Sequence, residues 1–398
     1  MYAWKRTPEL GRDLQRIEEL KGALDSRGVL PRRWAGRLRR EVESASVAAS
    51  TAMEGVPVTV DEVRRILAGD RPPGVAATDA ALVRGYREAM SYVLRRADDP
   101  AFRWQDELIL GIHDRVLAGS WADGAGRYRT GPVYLTDPLT GGSAYHPPSA
   151  GEVPSLVTAL TTFLEQEGGE LESPILAALV HVRLAGIHPF TDGNGRTARV
   201  LASLAMYRGG YKSEEFTSLE EWWGAHREDY QAAFHCLGTA WEPATDVTPF
   251  VVAHVRAQRL QADTRSLRQT AEREVWTILE DIATEELAGV PRFADALYDA
   301  FFGREVTNRY YRGLADVSIA TASNDLGRLE ASGLLAHAGA GRSRTYHGTR
   351  QLMEAVATFG KVPHVLGDKA TPMPSLRTAI ITALADRLHS GPARSRPV

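Results

Sequence analysis

The sequence contains very little cysteine and no excess of charge of either sign. Cys236 is the only cysteine among 398 residues, which excludes an intrachain disulfide framework and any zinc site built on two thiolates. The 47 basic and 50 acidic side chains give a formal net charge of -3. The overall basic balance of a nonspecific nucleic-acid binder is therefore absent, and the counts favour a globular protein in a reducing compartment.

Long apolar runs and an apolar N-terminal leader are also missing. The first residues, MYAWKRTPELGRDLQ, lack the apolar stretch of a signal peptide. The longest apolar runs, such as residues 174–184, are too short to span a bilayer, and this one contains His181 and Arg183. We therefore expect a cytoplasmic protein with no membrane partner.

The residues that are present show mostly helical periodicity, which predicts a mainly α fold. Apolar and small residues recur at helical spacing from Leu30 to Met53, and Gly55 stops this helix. Thr59 and Glu62 form a capping box that starts the next one. Further helices are predicted over residues 77–96, 104–117, 173–186 (with Ser173 as the N-cap), 194–209, 218–234 and 247–269.

Residues 126–146 interrupt the helical pattern. Glycine and proline recur along this stretch, and they surround the short strand-like run Val133-Tyr134-Leu135. Such a pattern predicts a β-hairpin or flap between helices.

The last third of the chain has a different organisation. Helices over 272–287, 293–301 and 318–330 precede an apolar stretch, a Gly/Arg turn at 339–344 and Thr345-Tyr346. Residues 271–350 thus resemble a winged helix-turn-helix, a domain that commonly binds DNA. However, the segment carries 9 Arg, no Lys and 12 acidic residues, and duplex binding needs a basic face, so the charge favours a protein-contact or dimerisation role over DNA binding. A helix over 374–388 and a disordered tail should follow.

The segment HPFTDGNGRTAR, residues 188–199, combines several groups that bind anions. Gly193 and Gly195 permit backbone conformations that direct several N–H groups to one point. A helix begins directly afterwards, and its N-terminal N–H groups face the same point. Arg196 and Arg199 lie three residues apart in the first turns of this helix. Together these features predict a site for a di- or triphosphate.

The same segment supplies groups for chemistry at phosphorus. Asp192 is a carboxylate at the edge of the phosphate site, where it can hold Mg2+. His188 can be neutral near pH 7 and accept a proton, and Phe190 is expected to anchor the loop in the core. We therefore predict nucleotidyl or phosphoryl transfer, with His188 deprotonating the attacking hydroxyl.

HPFTDGNGRTAR resembles the Fic motif, H-x-F-x-[D/E]-G-N-G-R-x-x-R, at every defined position. Fic proteins mostly transfer AMP from ATP to a Ser, Thr or Tyr hydroxyl of a protein. The resemblance implies ATP as co-substrate, Mg2+ as cofactor, and a mainly α Fic core with a β-hairpin flap. The implied roles are His188 as general base, Asp192 as Mg2+ ligand, Gly193, Asn194 and Gly195 as anion hole, Arg196 for the β-phosphate and Arg199 for the γ-phosphate.

The resemblance also implies a surface for the target protein. The segment 133–145 occupies the place of the family's flap, which pairs with the target chain by β-augmentation. Tyr230 falls where the family often has an aromatic residue near adenine, and a core tyrosine is an equally good interpretation. The protein itself is an expected substrate of auto-AMPylation.

An upstream segment resembles the Fic inhibitory motif, [S/T]-x-x-x-E-[G/N]. It reads Ser50-Thr-Ala-Met-Glu54-Gly55, and Ser50 and Glu54 share a helical face because they lie four residues apart. In the family this Glu pairs with the second Arg of the motif, here Arg199. The resemblance therefore implies an inhibitory helix over about 31–54 that deprives the γ-phosphate of its partner.

These predictions divide the chain into a helical region 1–110 containing the inhibitory helix, a Fic catalytic core 111–260, a winged helix-turn-helix 271–350, and a C-terminal helix and tail 361–398. A DNA-binding regulator with a nucleotide-sensing Fic domain is the alternative from another functional class. A Fic enzyme that moves another group or removes AMP is a third. The sequence is also compatible with a homodimer.

Overall fold

In a computed structural model, the described residues are 3–25, 32–70, 72–136, 143–287, 290–341, 344–368 and 370–390, without the side chains of 32–35, 37–38 and 388–390. The chain divides into two compact units, Met1–Arg265 and Ser266–Val398. The expected disordered tail, residues 391–398, lies outside the described ranges. Within these ranges, no helix combines the length and the apolar character needed to cross a lipid bilayer.

The first unit is mainly helical, as the periodicity predicts. Apolar side chains from most of its helices meet in one core. The helices follow one another as α1 (Pro8–Asp25), α2 (Arg32–Met53), α3 (Val60–Leu67), α4 (Ala77–Ala97), α5 (Asp106–Val116), α6 (Val153–Gln166), α7 (Ser173–Ile187), α8 (Asn194–Arg208), α9 (Leu219–Ala225), α10 (Arg227–Ala233) and the first part of α11 (Thr248–Glu285).

Helix α7 is buried on all sides. Apolar residues surround it rather than forming one stripe, so nearly every side chain from Pro174 to Ile187 is buried. Helix α8 packs along α7, and its other neighbours include α4 and α5. Because α7 and α8 are consecutive, the loop 188–193 between them is held by the core at both ends.

The turn after α2 follows the sequence prediction. Gly55 ends the helix with φ +85°, a conformation that favours glycine. The predicted capping box is confirmed: the Glu62 N–H donates to the Thr59 hydroxyl (3.2 Å), and the Thr59 N–H donates to the Glu62 carboxylate (2.8 Å). Helix α2 packs against α3, α4 and α9, so one of its faces is directed into the first unit.

The predicted flap contains a short antiparallel hairpin. Strand β1 (Leu135–Thr136) pairs with β2 (Ser143–Tyr145), and Leu135 lies opposite Tyr145. The connection, residues 137–142, lies outside the described part of the chain. Tyr145 is buried and its hydroxyl donates to the Gly186 carbonyl at 3.0 Å, which ties the hairpin to the end of α7.

Three predicted helix boundaries were wrong. The helix expected over 218–234 is broken at His226, whose ring stacks on Trp222 at 3.9 Å and contacts the Trp222 carbonyl, so that α9 and α10 form instead. Glu172, with an extended backbone, is the N-cap of α7, because Ser173 is already helical. Helix α11 continues past Gln269 to Glu285, since neither glycine nor proline interrupts this stretch.

The second unit contains the rest of α11 and short elements that include the predicted helices and strands, whereas the helices over 308–315 and 350–359 were not predicted. The short elements are α12 (Phe293–Phe301), α13 (Asn308–Ala315), α14 (Ile319–Ala331), β3 (Leu335–Ala338), β4 (Thr345–Gly348), α15 (Arg350–Phe359) and α16 (Met373–Ser390). Strands β3 and β4 are antiparallel, with Leu335 opposite Gly348. Ser318 caps α14 by accepting from the Thr321 N–H. The winged helix-turn-helix stays a prediction.

Candidate active site

His188 lies at the end of α7, in the loop that leads to α8. Its backbone is left-handed, with φ +51° and ψ +59°, a conformation that is uncommon for a residue with a β-carbon. Its N–H donates to the Leu184 carbonyl at 2.9 Å. The strained backbone turns the chain sharply, so that the His188 side chain leaves the helix at its end.

The imidazole of His188 has the protonation state that a general base needs. Its Nδ1 lies 3.3 Å from the Ala185 carbonyl, which can only accept, so Nδ1 carries the hydrogen and Nε2 keeps a lone pair. Burial lowers the pKa of His188 to about 4, and the positive charge of Arg129 contributes, although Glu54 and Asp192 oppose it. The side chain is therefore neutral at pH 7.

The loop after His188 is held by Phe190 and Asn194. Phe190 is buried, as predicted. The Asn194 side chain accepts from the Phe190 N–H (2.9 Å) and donates to the Phe190 carbonyl (2.8 Å). Because both polar ends of this side chain are engaged with the loop, Asn194 can contribute only its backbone N–H to an anion hole.

His113 on α5 supports the same loop, although no spacing pattern in the sequence indicated this role. Its ring stacks on Phe190, with the centroids 3.6 Å apart. Its Nδ1 accepts from the Gly126 N–H (3.1 Å), so Nε2 donates to the Asp192 carbonyl (2.9 Å). Burial lowers the pKa of His113 to about 4, which keeps this hydrogen-bonding pattern at neutral pH.

The N-terminus of α8 is open towards this loop. Gly193 has φ +77°, and the Thr197 N–H is bonded to its carbonyl. The N–H groups of Asn194, Gly195 and Arg196 precede that first helical bond and have no partner inside the helix. A β-carbon on Gly195 would collide with Glu54 Oε1, so the absence of a side chain there leaves room for a carboxylate or a phosphate.

Arg196 is buried but only partly satisfied. Its Nη2 donates to Asp192 Oδ2 at 2.8 Å, and its side chain is 3% exposed while that of Asp192 is 61% exposed. In the described residues its Nε and Nη1 are buried without a hydrogen-bond partner. Unpaired buried donors on a cation are energetically unfavourable, and an anion bound at the start of α8 would satisfy them.

Arg199 is engaged by residues at and just after the C-terminus of α2, and by Tyr230. Its Nε donates to Ser50 Oγ (2.9 Å), and its Nη2 donates to the Ser50 carbonyl (3.1 Å) and to Glu54 Oε1 (2.7 Å). Nη1 donates to the Tyr230 hydroxyl at 3.1 Å. Burial works to lower the pKa of Arg199, but the neighbouring Tyr230 and Glu54 raise it overall, so it stays charged.

Tyr230 thus belongs to the Arg199 cluster. Its hydroxyl also lies 3.1 Å from His181 Nε2, and its ring packs against Trp223 and Phe234. Burial raises the pKa of Tyr230, so its hydroxyl is protonated at neutral pH. The predicted contact of Tyr230 with adenine stays a prediction.

The donor set suits Mg2+ held mainly by a substrate. The described residues contain no group of three or more His, Cys, Asp or Glu side chains that could hold a metal. Asp192 offers a carboxylate with a side chain that is 61% exposed beside the anion site. Mg2+ commonly takes one or two carboxylates and completes its shell with phosphate oxygens and water, so Asp192 fits that ion.

The motif, the loop and the buried arginines agree with comparisons to known proteins. The Fic/DOC family profile matches residues 104–206. The chain contains a Fic domain. The segment 188–199 lies within the matched range, whereas Ser50, Glu54 and Tyr230 lie outside it.

Curated relatives share the Fic region with this chain. A protein adenylyltransferase Fic from Nematostella vectensis is 33% identical over 202 residues, which are 50% of this chain and 45% of the relative. Protein adenylyltransferase fic-1 from Caenorhabditis elegans is 33% identical over 220 residues, 54% of this chain and 39% of the relative. The chain thus spans less than half the length of these relatives.

Solved structures share the fold of the Fic domain. Fic-1 from Caenorhabditis elegans, residues 134–508, aligns with a TM-score of 0.51 and 26% identity over 64% of this chain and 72% of the other. A Fic family protein from Desulfovibrio desulfuricans aligns with a TM-score of 0.57 and 22% identity over 88% of this chain and 98% of the other. Because its identity is only 22%, the similarity to the Desulfovibrio desulfuricans protein concerns the fold alone.

Proposed function

We propose that this Fic protein transfers AMP from ATP to a Ser, Thr or Tyr hydroxyl of a target protein, and that Glu54 holds it in an inactive state. The observation that carries the proposal is the arrangement around α8. A neutral His188 and a half-satisfied Arg196 stand at the helix N-terminus, while the carboxylate of Glu54 lies 2.7 Å from Arg199.

The phosphates of ATP would bind at the start of α8. The backbone N–H groups of Gly193, Asn194 and Gly195 would form the anion hole there. Arg196, with its two unpaired donors, would bind the β-phosphate, and Arg199 would bind the γ-phosphate once Glu54 has moved away. Asp192 would hold Mg2+, which neutralises phosphate charge when it is bound.

His188 would act as the general base. Its Nε2 takes the proton of the target hydroxyl as the hydroxyl oxygen forms a bond to the α-phosphorus. The bond between the α-phosphorus and the bridging oxygen breaks, and pyrophosphate leaves with the electron pair. The contact of Nδ1 with the Ala185 carbonyl orients the ring for this proton transfer.

Glu54 would inhibit by replacing the γ-phosphate. It supplies a negative charge to Arg199, and it occupies the space beside Gly195. A triphosphate in the productive position would lose its arginine partner and would be repelled by the carboxylate. ATP could then bind only in a position in which the α-phosphorus is out of line with the attacking hydroxyl.

The target would dock on the flap over residues 133–145. In the described strands, β1 pairs only with β2, so the hairpin has an edge that can accept another extended segment. Pairing of main-chain groups at such an edge would present a target side chain independently of its neighbours. The protein itself would serve as a substrate in the absence of another target.

Intact-mass analysis with ATP and Mg2+ tests this function. Glu54→Gly should gain one or more AMP units, the wild type should gain fewer, and Glu54→Gly combined with His188→Ala should gain none. Addition of a different mass, such as a phosphate, would contradict AMP transfer. Loss of AMP from a pre-modified substrate in the presence of Glu54 would favour hydrolytic removal of AMP, in which Glu54 positions a water that attacks the α-phosphorus and the target hydroxyl leaves.

One observation favours DNA binding as a second function. The acidic residues of α14 are paired: Asp325 is buried, accepts from Arg292 (2.6 Å) and contacts the Tyr311 hydroxyl, and the partly exposed Glu330 pairs with His337. A winged helix-turn-helix in residues 271–350 would then present a neutral helix face to the major groove. Salt-dependent binding of a DNA duplex, measured by fluorescence anisotropy, tests this function.

A further inference from the structure

Arg129 is a buried arginine that contacts main-chain carbonyls of its own segment and of two others. Its side chain is nearly inaccessible. Nε donates to the His188 carbonyl (2.8 Å), Nη1 to the Gly131 carbonyl (3.1 Å) and Nη2 to the Pro148 carbonyl (2.5 Å). Its backbone N–H donates to the Pro189 carbonyl at 2.9 Å. Both its main chain and its side chain therefore hold the loop that carries His188.

Burial of the Arg129 guanidinium has an unfavourable free energy, because the cation loses its hydration. Burial lowers the pKa of Arg129, and no charged group opposes that effect. A buried cation that is balanced by carbonyl dipoles alone contributes less stability than a well-packed apolar residue would. The position of its three acceptors therefore indicates what Arg129 does.

The first acceptor belongs to the residue with the strained backbone. His188 has φ +51°, and such a conformation persists only where the surroundings fix it. The Leu184 carbonyl holds the His188 N–H, and Arg129 holds the His188 carbonyl. With the peptide groups on both sides fixed, the direction in which the imidazole leaves the backbone is also fixed.

The other two acceptors lie at the two ends of the flap segment. Gly131 precedes β1 and Pro148 follows β2. A single planar guanidinium, whose donors have a rigid geometry, thus connects both ends of the flap to the main chain of His188. Lysine could not do this, because a single ammonium group has no planar fork.

We infer that Arg129 is a positioning residue, which sets the main chain of His188 and the base of the flap relative to each other so that the imidazole meets the hydroxyl presented on the flap. This inference rests on the proposed function. The rate of the transfer step would then depend on Arg129, a residue outside the 188–199 motif.

Arginine variants in the Glu54→Gly protein test the inference by kinetics. Arg129→Lys should lower kcat by about 100-fold, the loss that follows from a displacement of about 1 Å at a reacting group, while ATP affinity measured by calorimetry stays unchanged. The control is Arg183→Lys on α7, where a similarly buried guanidinium stacks on Phe163 at 3.7 Å and should leave kcat unaffected.

A spectroscopic measurement separates this inference from the proposed function. The carbon-13 resonance of the His188 imidazole, assigned by its loss in His188→Ala, should shift in Arg129→Gln and not in Arg183→Lys. The charged groups acting on His188 are Arg129, Glu54 and Asp192; removing Arg129 leaves the two carboxylates, so the pKa of His188 should rise.

Two results would overturn the inference: a kcat in folded Arg129→Lys equal to that of the Glu54→Gly parent, or an unchanged His188 resonance and pKa in Arg129→Gln. If the Glu54→Gly parent transferred no AMP, the proposed function would fail, and the resonance of His188 alone would then decide the role of Arg129.

Discussion

Replacing Glu54 by glutamine or by glycine separates two ways in which this side chain can oppose ATP. Glu54 Oε1 accepts from Arg199 at 2.7 Å, and the same oxygen fills the space next to Gly195. Glutamine keeps the shape of the side chain and removes its charge. Glycine removes both, so the difference between the two variants measures the contribution of the occupied space.

The expected magnitudes follow from the burial of the pair. The Arg199 side chain is 3% exposed and that of Glu54 is 23% exposed, so solvent screens the pair from one side. A hydrogen bond to a charged group contributes about 1.5–3 kcal/mol, and the screening places this pair at the lower end. Glu54→Gln should therefore raise ATP affinity by about 1.4 kcal/mol, about tenfold, and Glu54→Gly by about 2.8 kcal/mol, about 100-fold.

Isothermal titration calorimetry with ATP and Mg2+ measures these affinities. All variants carry His188→Ala, so that turnover does not consume the ligand. Glu43→Gln is the matched control, because Glu43 lies on the same helix α2 and pairs with Arg87 at 2.8 Å; its ATP affinity should equal that of the parent. Equal affinities for glutamate and glutamine at position 54, with tighter binding by glycine alone, would refute the electrostatic argument.

Three further predictions concern the same site. Because His188 has a pKa of about 4 and accepts protons only when neutral, AMP transfer by Glu54→Gly should fall only as pH drops towards 4; an acid limb near pH 6.5 in a pH–rate profile would contradict this. Ser46→Ala removes the bond from α2 to buried Glu220 (2.8 Å), so basal labelling with radioactive ATP should rise by about fivefold, equivalent to about 1 kcal/mol, and an unchanged rate would count against it. Asp192→Asn in Glu54→Gly should raise the Mg2+ concentration needed for half-maximal transfer, whereas an unaltered titration would exclude Asp192 as the ligand.

The sequence was most informative where several unusual residues are contiguous. The motif from His188 to Arg199 predicted a loop, a helix start and two arginines in its first turns, because glycine and a following helical pattern constrain the backbone locally. The capping box at Thr59 was equally readable, since it depends on two residues three apart. The pairing of Arg199 with Glu54, 145 residues upstream, came from the family resemblance rather than from spacing.

The contacts that the sequence did not predict are those to main-chain atoms of distant segments. Arg129 and His113 bind backbone carbonyls of the loop between α7 and α8. Because every residue has a main-chain carbonyl, no sequence pattern identifies the one that a distant side chain will bind. The same holds for the break at His226, whose ring nitrogen contacts the Trp222 carbonyl of its own helix. Hydrophobic periodicity reports which face is buried and carries no information about such bonds.

The bonds that shape the loop between α7 and α8 are separate from those that join α2 to Arg199. Arg129 and His113 bind the main chain of the loop, and Asn194 binds Phe190 within it; none of these contacts uses a residue of α2. The contacts of α2 with the site are directed to Arg199. Under the proposed function, displacement of Glu54 would exchange one carboxylate for one phosphate at Arg199 and free the space beside Gly195, while the contacts that hold the main chain of His188 would stay in place.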